Sequence, residues 1–290
     1  VTGGTSAMGG AVTSSGGASH VTTVTGGTSV MGGTSAMGGA VTSGGASHVT
    51  TVTGGTSTMG GASTTFNPCP ALPEPCKLMS SGDSITVGAQ STDTGGYRAP
   101  LFGTTLQNKK AITFVGPSGA GPATVDGVAF PDAHDGHSGY IIDTVGSRKG
   151  LLPLMAQNLT KYTPHIVLLM IGTNDVNSQV ELSRAPTRMA NLIDLITETA
   201  PSTLLVVAQL IPTRTDSLNS DVQTLNASIK TLVSDRAKAG KHVLLVDMYS
   251  AFTANANYKT EWLFDGLHPT DAGYAVMAKV WYPAISGLLH

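Results

Sequence analysis

Lys77-Leu78-Met79-Ser80-Ser81-Gly82-Asp83-Ser84-Ile85-Thr86 decides how this chain folds. An apolar run meets two small residues, then a glycine, an acid and a serine, and a helix-like segment follows. That pattern predicts a first β-strand turning sharply into a loop and helix. A serine at that turn sits at the carboxyl edge of a sheet, where open α/β folds place their chemistry. Gly82, without a Cβ, allows a tight turn and a close approach of other backbone. A Gly-Asp-Ser turn that merely caps a helix is the plainer reading of the same residues.

Outward from this stretch, strand-like and helix-like segments alternate. A strand is expected at 112–115, then a Gly/Pro-rich loop to Pro131. His165-Ile-Val-Leu-Leu-Met-Ile171 and Leu204-Leu-Val-Val-Ala-Gln-Leu-Ile211 are continuous and apolar, as in parallel strands buried on both faces. Met189, Leu192, Ile193 and Ile196 have helical spacing, as do Val222, Leu225, Ile229, Leu232 and Val233. Further helices are expected from Arg98 to about Asn108 and from Thr270 to Tyr282, and a strand at 243–246. The alternation predicts a three-layer α/β/α sandwich with a mainly parallel sheet.

Composition divides the chain before any motif does. Residues 1–65 contain no Asp, Glu, Lys or Arg and repeat themselves. Val-Thr-Gly-Gly-Thr-Ser starts at Val1, Val24 and Val52, and Ala-Ser-His-Val-Thr-Thr at Ala18 and Ala46. Such a Gly/Ser/Thr tract predicts a disordered linker, with a folded domain over 66–290. The whole chain carries 16 basic and 18 acidic residues, so nothing marks a nucleic-acid partner. No apolar run reaches the roughly 18–20 residues of a membrane span. The two cysteines, Cys69 and Cys76, frame a proline-rich octapeptide and suggest a disulfide of an oxidising compartment. Two sequons, at Asn158 and Asn226, agree with secretion.

Four clusters are expected near the carboxyl edge of the sheet: Gly82-Asp83-Ser84, Asp135-Gly136-His137-Ser138-Gly139, Gly172-Thr173-Asn174-Asp175 and Asp265-Gly266-Leu267-His268-Pro269. Each alone has an ordinary structural explanation. Together they supply what acyl transfer needs. A serine hydroxyl requires an imidazole to take its proton, and the imidazole requires a carboxylate to fix its tautomer. Ser84, His268 and Asp265 fill these positions. The N–H groups of Ser84 and Gly136 and the Asn174 amide are expected to form the oxyanion hole. Asp83, Asp175, His137 and Arg98 are expected in support: His137 with Asp135 holding the loop, Arg98 binding a substrate oxygen or pairing with a carboxylate. Pro269 is expected to open the last helix. Asp132, His134, Asp135 and His137 also admit a metal site, but their spacing matches no recognised zinc pattern, and no metal or other cofactor is expected.

In these four blocks the chain resembles the SGNH (GDSL-type) hydrolases, with Ile85 in place of the family's leucine. Gly95-Gly96-Tyr97-Arg98 and His134-Asp135-Gly136-His137-Ser138-Gly139-Tyr140 further resemble carbohydrate esterase family 3. The resemblance spans about residues 77–290 and implies a flavodoxin-like fold and an acetylxylan esterase, secreted and monomeric, acting on acetylated plant cell-wall polysaccharide. The linker is similar to those of fungal cell-wall enzymes, which implies a fungal source. A lipid-directed esterase of the same superfamily and a non-catalytic wall-binding protein are the alternatives.

Overall fold

The computed structural model describes residues 66–290, so the repeat tract lies outside the described residues. Nine strands and nine α-helices are described. They are β1 (Cys76–Gly82), α1 (Ser84–Val87), α2 (Arg98–Gln107), β2 (Ile112–Phe114), β3 (Ser118–Gly119), β4 (Thr124–Val125), β5 (Val128–Ala129), β6 (Ala133–Gly136), α3 (Leu152–Tyr162), β7 (Ile166–Met170), α4 (Thr173–Asn177), α5 (Ala185–Thr199), β8 (Leu204–Ala208), α6 (Asp216–Lys238), β9 (Val243–Val246), α7 (Met248–Thr253), α8 (Tyr258–Glu261) and α9 (Asp271–Ser286).

The sheet runs β3-β6-β1-β7-β8-β9, with β2 also paired to β1. All its pairings are parallel except that of β3 with β6. Helices α2, α7 and α9 pack together as one layer, and α3, α5 and α6 as the other. Every residue of β7 and β8 is buried, which is why those strands are unbroken apolar runs. The three-layer expectation is met.

Position along β1 explains the site. One edge of β1 pairs first with β2 and then, at Ser81 and Gly82, with Asp135 and Gly136 of β6. Its other edge carries β7, with Gly82 opposite Met170. Three of the four clusters therefore leave adjacent strand ends. Gly82 is squeezed between them: a Cβ there would lie 2.2 Å from the Met170 carbonyl oxygen.

Several expectations need correction. Asp135-Gly136 is strand rather than loop, and α3 had no counterpart in the sequence reading. Pro269 precedes the α9 cap, Thr270, and bridges to Leu263 instead of opening the helix. Both sequon asparagines are buried and engaged. The Asn158 amide donates to Asp135 at 2.8 Å, and Asn226 pairs with both backbone groups of Leu210. Neither is an accessible glycan acceptor in the folded domain. Cys69 and Cys76 form a disulfide that anchors the first residue of β1. Among the described residues no helix is long and apolar enough to cross a membrane.

Candidate active site

Ser84 is the first residue of α1, directly after β1. Its Oγ lies 2.8 Å from His268 Nε2, although 184 residues separate them in sequence. On the far side of the ring, His268 Nδ1 is 2.7 Å from Asp265 Oδ2. The carboxylate fixes the proton on Nδ1 and leaves Nε2 to accept from the serine. Asp265 Oδ1 also accepts the N–H groups of Leu267 and His268, so the acid organises the turn that carries the base. Burial works against that carboxylate. The His268 N–H, the His268 ring and the Leu267 N–H outweigh it and hold Asp265 below the usual carboxyl range. Ser84, His268 and Asp265 are thus brought into one relay.

Asp83 caps α1 by accepting the Ile85 N–H at 2.9 Å. It is fully buried, and its second oxygen has no partner. Burial raises its carboxyl from 3.8 to about 6, against the Ile85 N–H, the Thr173 hydroxyl and the field of His268. A folded-state value above the unfolded one means the folded chain holds this proton more tightly. The penalty for the buried charge is therefore fully present above about pH 6 and fades as pH falls towards 4. Asp83→Asn keeps an oxygen for the Ile85 N–H and removes the charge. Near pH 8 the variant should be the more stable by roughly 3 kcal/mol, and the two urea midpoints should converge near pH 4. Equal midpoints at both pH values would contradict the buried charge.

The expected oxyanion donors are not all free. The Gly136 N–H donates to His134 Nδ1 at 3.0 Å and is spent within its own turn. Its glycine is needed for packing: a Cβ there would meet Val87 N of α1 at 2.7 Å. The Gly136 N–H is therefore not a free donor in this geometry. Three residues on, Gly139 has φ +78° and lies exposed, with open space where a Cβ would be. The Ser84 N–H, at the first position of its helix, has no acceptor within that helix. Asn174 donates one amide hydrogen to the Tyr140 carbonyl at 2.9 Å, which leaves the other available.

The acids and histidines of the second cluster hold the loop and do not converge on one point. His137 Nε2 and the Asn158 amide both bond Asp135 Oδ1 at 2.8 Å, and the His137 ring stacks on Tyr140. His134 is lowered to about 4 by burial and the nearby Arg98, so its ring is neutral and can accept from Gly136. Among the described residues no three His, Cys, Asp or Glu side chains are grouped to hold a metal ion. Asp175 pairs with the buried Arg188 at 2.8 Å and accepts the Ile142 N–H, fastening the 140–142 segment beside Asn174. Its carboxyl is raised by burial, with Arg188 and Ile142 opposing. Arg188 escaped the sequence reading because it sits inside an ordinary helical stretch, and Asn158 was read only as a sequon.

Arg98 binds neither a carboxylate nor the open site. It is fully buried, and its guanidinium donates to the carbonyls of Thr86, Val87, Thr94 and Asp132 at 2.9–3.4 Å. Two of these carbonyls end the helix that Ser84 begins, and Asp132 precedes β6. Burial lowers its pKa to about 10, which leaves it cationic at neutral pH.

With the relay assembled at the end of β1, residues 81–276 match the model of the GDSL-like Lipase/Acylhydrolase family. The chain belongs to that family. A "Multidomain esterase" of Ruminococcus flavefaciens is 36% identical over 231 residues, which cover 73% of this chain and 29% of that protein. A "Putative endoglucanase X" of Acetivibrio thermocellus is 33% identical over 140 residues, 47% of this chain and 58% of that one. The chain thus spans less than two thirds of the length of both curated relatives. A solved Clostridium thermocellum family 3 carbohydrate esterase superposes with a TM-score of 0.63 at 30% identity, covering 74% of this chain and 98% of that one. These relatives are bacterial, and the fungal source drawn from the linker finds no support in them.

Proposed function

We propose that this family member is a serine esterase that removes O-acetyl groups from polysaccharide outside the cell. The observation that carries the proposal is the continuous Ser84–His268–Asp265 relay. The Ser84 oxygen attacks the ester carbonyl while its proton passes to His268 Nε2, and Asp265 stabilises the imidazolium. The Ser84 N–H and the free Asn174 hydrogen stabilise the developing oxyanion. His268 then returns the proton to the leaving sugar oxygen. A water, deprotonated by the same ring, releases acetate from the acyl-serine and restores the hydroxyl.

The acetyl and glycan assignments draw on the family 3 carbohydrate esterase and on the cell-wall resemblance of the 134–140 and 95–98 stretches. The Cys69–Cys76 disulfide supports an oxidising, extracellular setting. Acetate release from a panel of acetylated glycans, beside aryl acetate and long-chain aryl esters, tests the reading. Turnover should fall as the acyl chain lengthens. Faster turnover of the long-chain esters would make the protein a lipid-directed hydrolase instead.

A further inference from the structure

Arg214 lies in the connection between β8 and α6, outside the relay, and has no carboxylate partner among the described residues. Its backbone N–H donates to the Gly266 carbonyl at 2.8 Å. Its Nε donates to Lys259 O at 3.0 Å, and one terminal nitrogen to Leu263 O at 2.8 Å and Phe264 O at 3.1 Å. These four carbonyls run from the end of α8 into the turn that carries both Asp265 and His268. Gly266 completes the fit. Its φ of +94° suits glycine, and a Cβ there would come within 3.0 Å of the Arg214 side chain, which lies across it.

We infer that Arg214 is a positioning residue that grips the outer face of the Asp265–His268 turn and keeps the imidazole at the serine. This rests on the relay reading above. On its inner face the turn is bonded to the rest of the site at the ring, by Ser84. The guanidinium bonds three carbonyls, of Lys259, Leu263 and Phe264, in the segment that leads into Asp265, and a lysine, with its single nitrogen, cannot reproduce that spread. Loosening the grip lets the ring drift, and a displacement of about 1 Å at a reacting group can cost 10²-fold in rate. Arg214 is solvent-exposed, unlike Arg98, so its removal spares the core.

Arg214→Ala and Arg214→Lys in the full chain test this. For a small aryl acetate, kcat should fall roughly 10- to 100-fold with KM within about twofold and the melting temperature near that of the parent. Millimolar guanidinium ion should restore part of the alanine variant's rate. A readout independent of turnover is the downfield NMR proton of His268 Nδ1–H, which should weaken or broaden in Arg214→Ala and persist in Ser84→Ala. Unchanged kcat with an unchanged ring proton overturns the inference. So does a rate loss that tracks a fall in melting temperature and ignores guanidinium. A fully active Ser84→Ala would instead sink the relay reading itself, which the ring proton reports separately.

Discussion

Ser84→Ala should lower kcat for an aryl acetate by at least ~10³-fold, and by as much as ~10⁶-fold, without unfolding the domain. The Ser84 hydroxyl bonds His268 Nε2 and is only half-buried, so its loss opens no cavity in the core. Without it His268 has nothing to deprotonate except water. Residual turnover comes from the free N–H donors alone. Because the three residues act as a unit, Ser84→Ala combined with His268→Ala should be little worse than either change alone, and Asp265→Ala somewhat milder. Multiplicative losses in the double variant would mean that the hydroxyl and the imidazole act in separate steps.

Arg98→Ala should be the most damaging change to stability, by roughly 3–5 kcal/mol. Four carbonyls, buried or half-buried, lose their donor, among them the two that end α1 and the one that leads into β6. Arg98→Lys should recover little, because one ammonium cannot reach carbonyls arranged around a planar guanidinium. Urea unfolding should show a lowered midpoint with an unchanged slope. A loss under ~1 kcal/mol would show that the carbonyls find other partners.

The fold was legible where burial dominates the sequence. β7 and β8 are apolar because both faces are covered, and the helix stripes at 189–196 and 222–233 follow from one covered face. The relay was legible because a serine after Gly-Asp and a histidine three residues after an acid are local signals. Long-range partners were not. Ala133–Gly136 is polar and four residues long, and it is a strand because β1 lies along one edge and β3 along the other. That the Gly136 N–H is not free turns on the His134 ring taking it, which no spacing encodes. Arg98 was marked but misassigned, since a buried arginine satisfied wholly by carbonyls depends on three separate segments meeting around it.

The assignment of Ser84 as nucleophile is tested most directly by reaction with a small serine-directed phosphonate, followed by peptide mapping. A single adduct should form, on Ser84, in step with loss of ester hydrolysis, and its formation should slow strongly in His268→Ala. An adduct on a different residue that abolishes hydrolysis while Ser84 stays unmodified would contradict the mechanism.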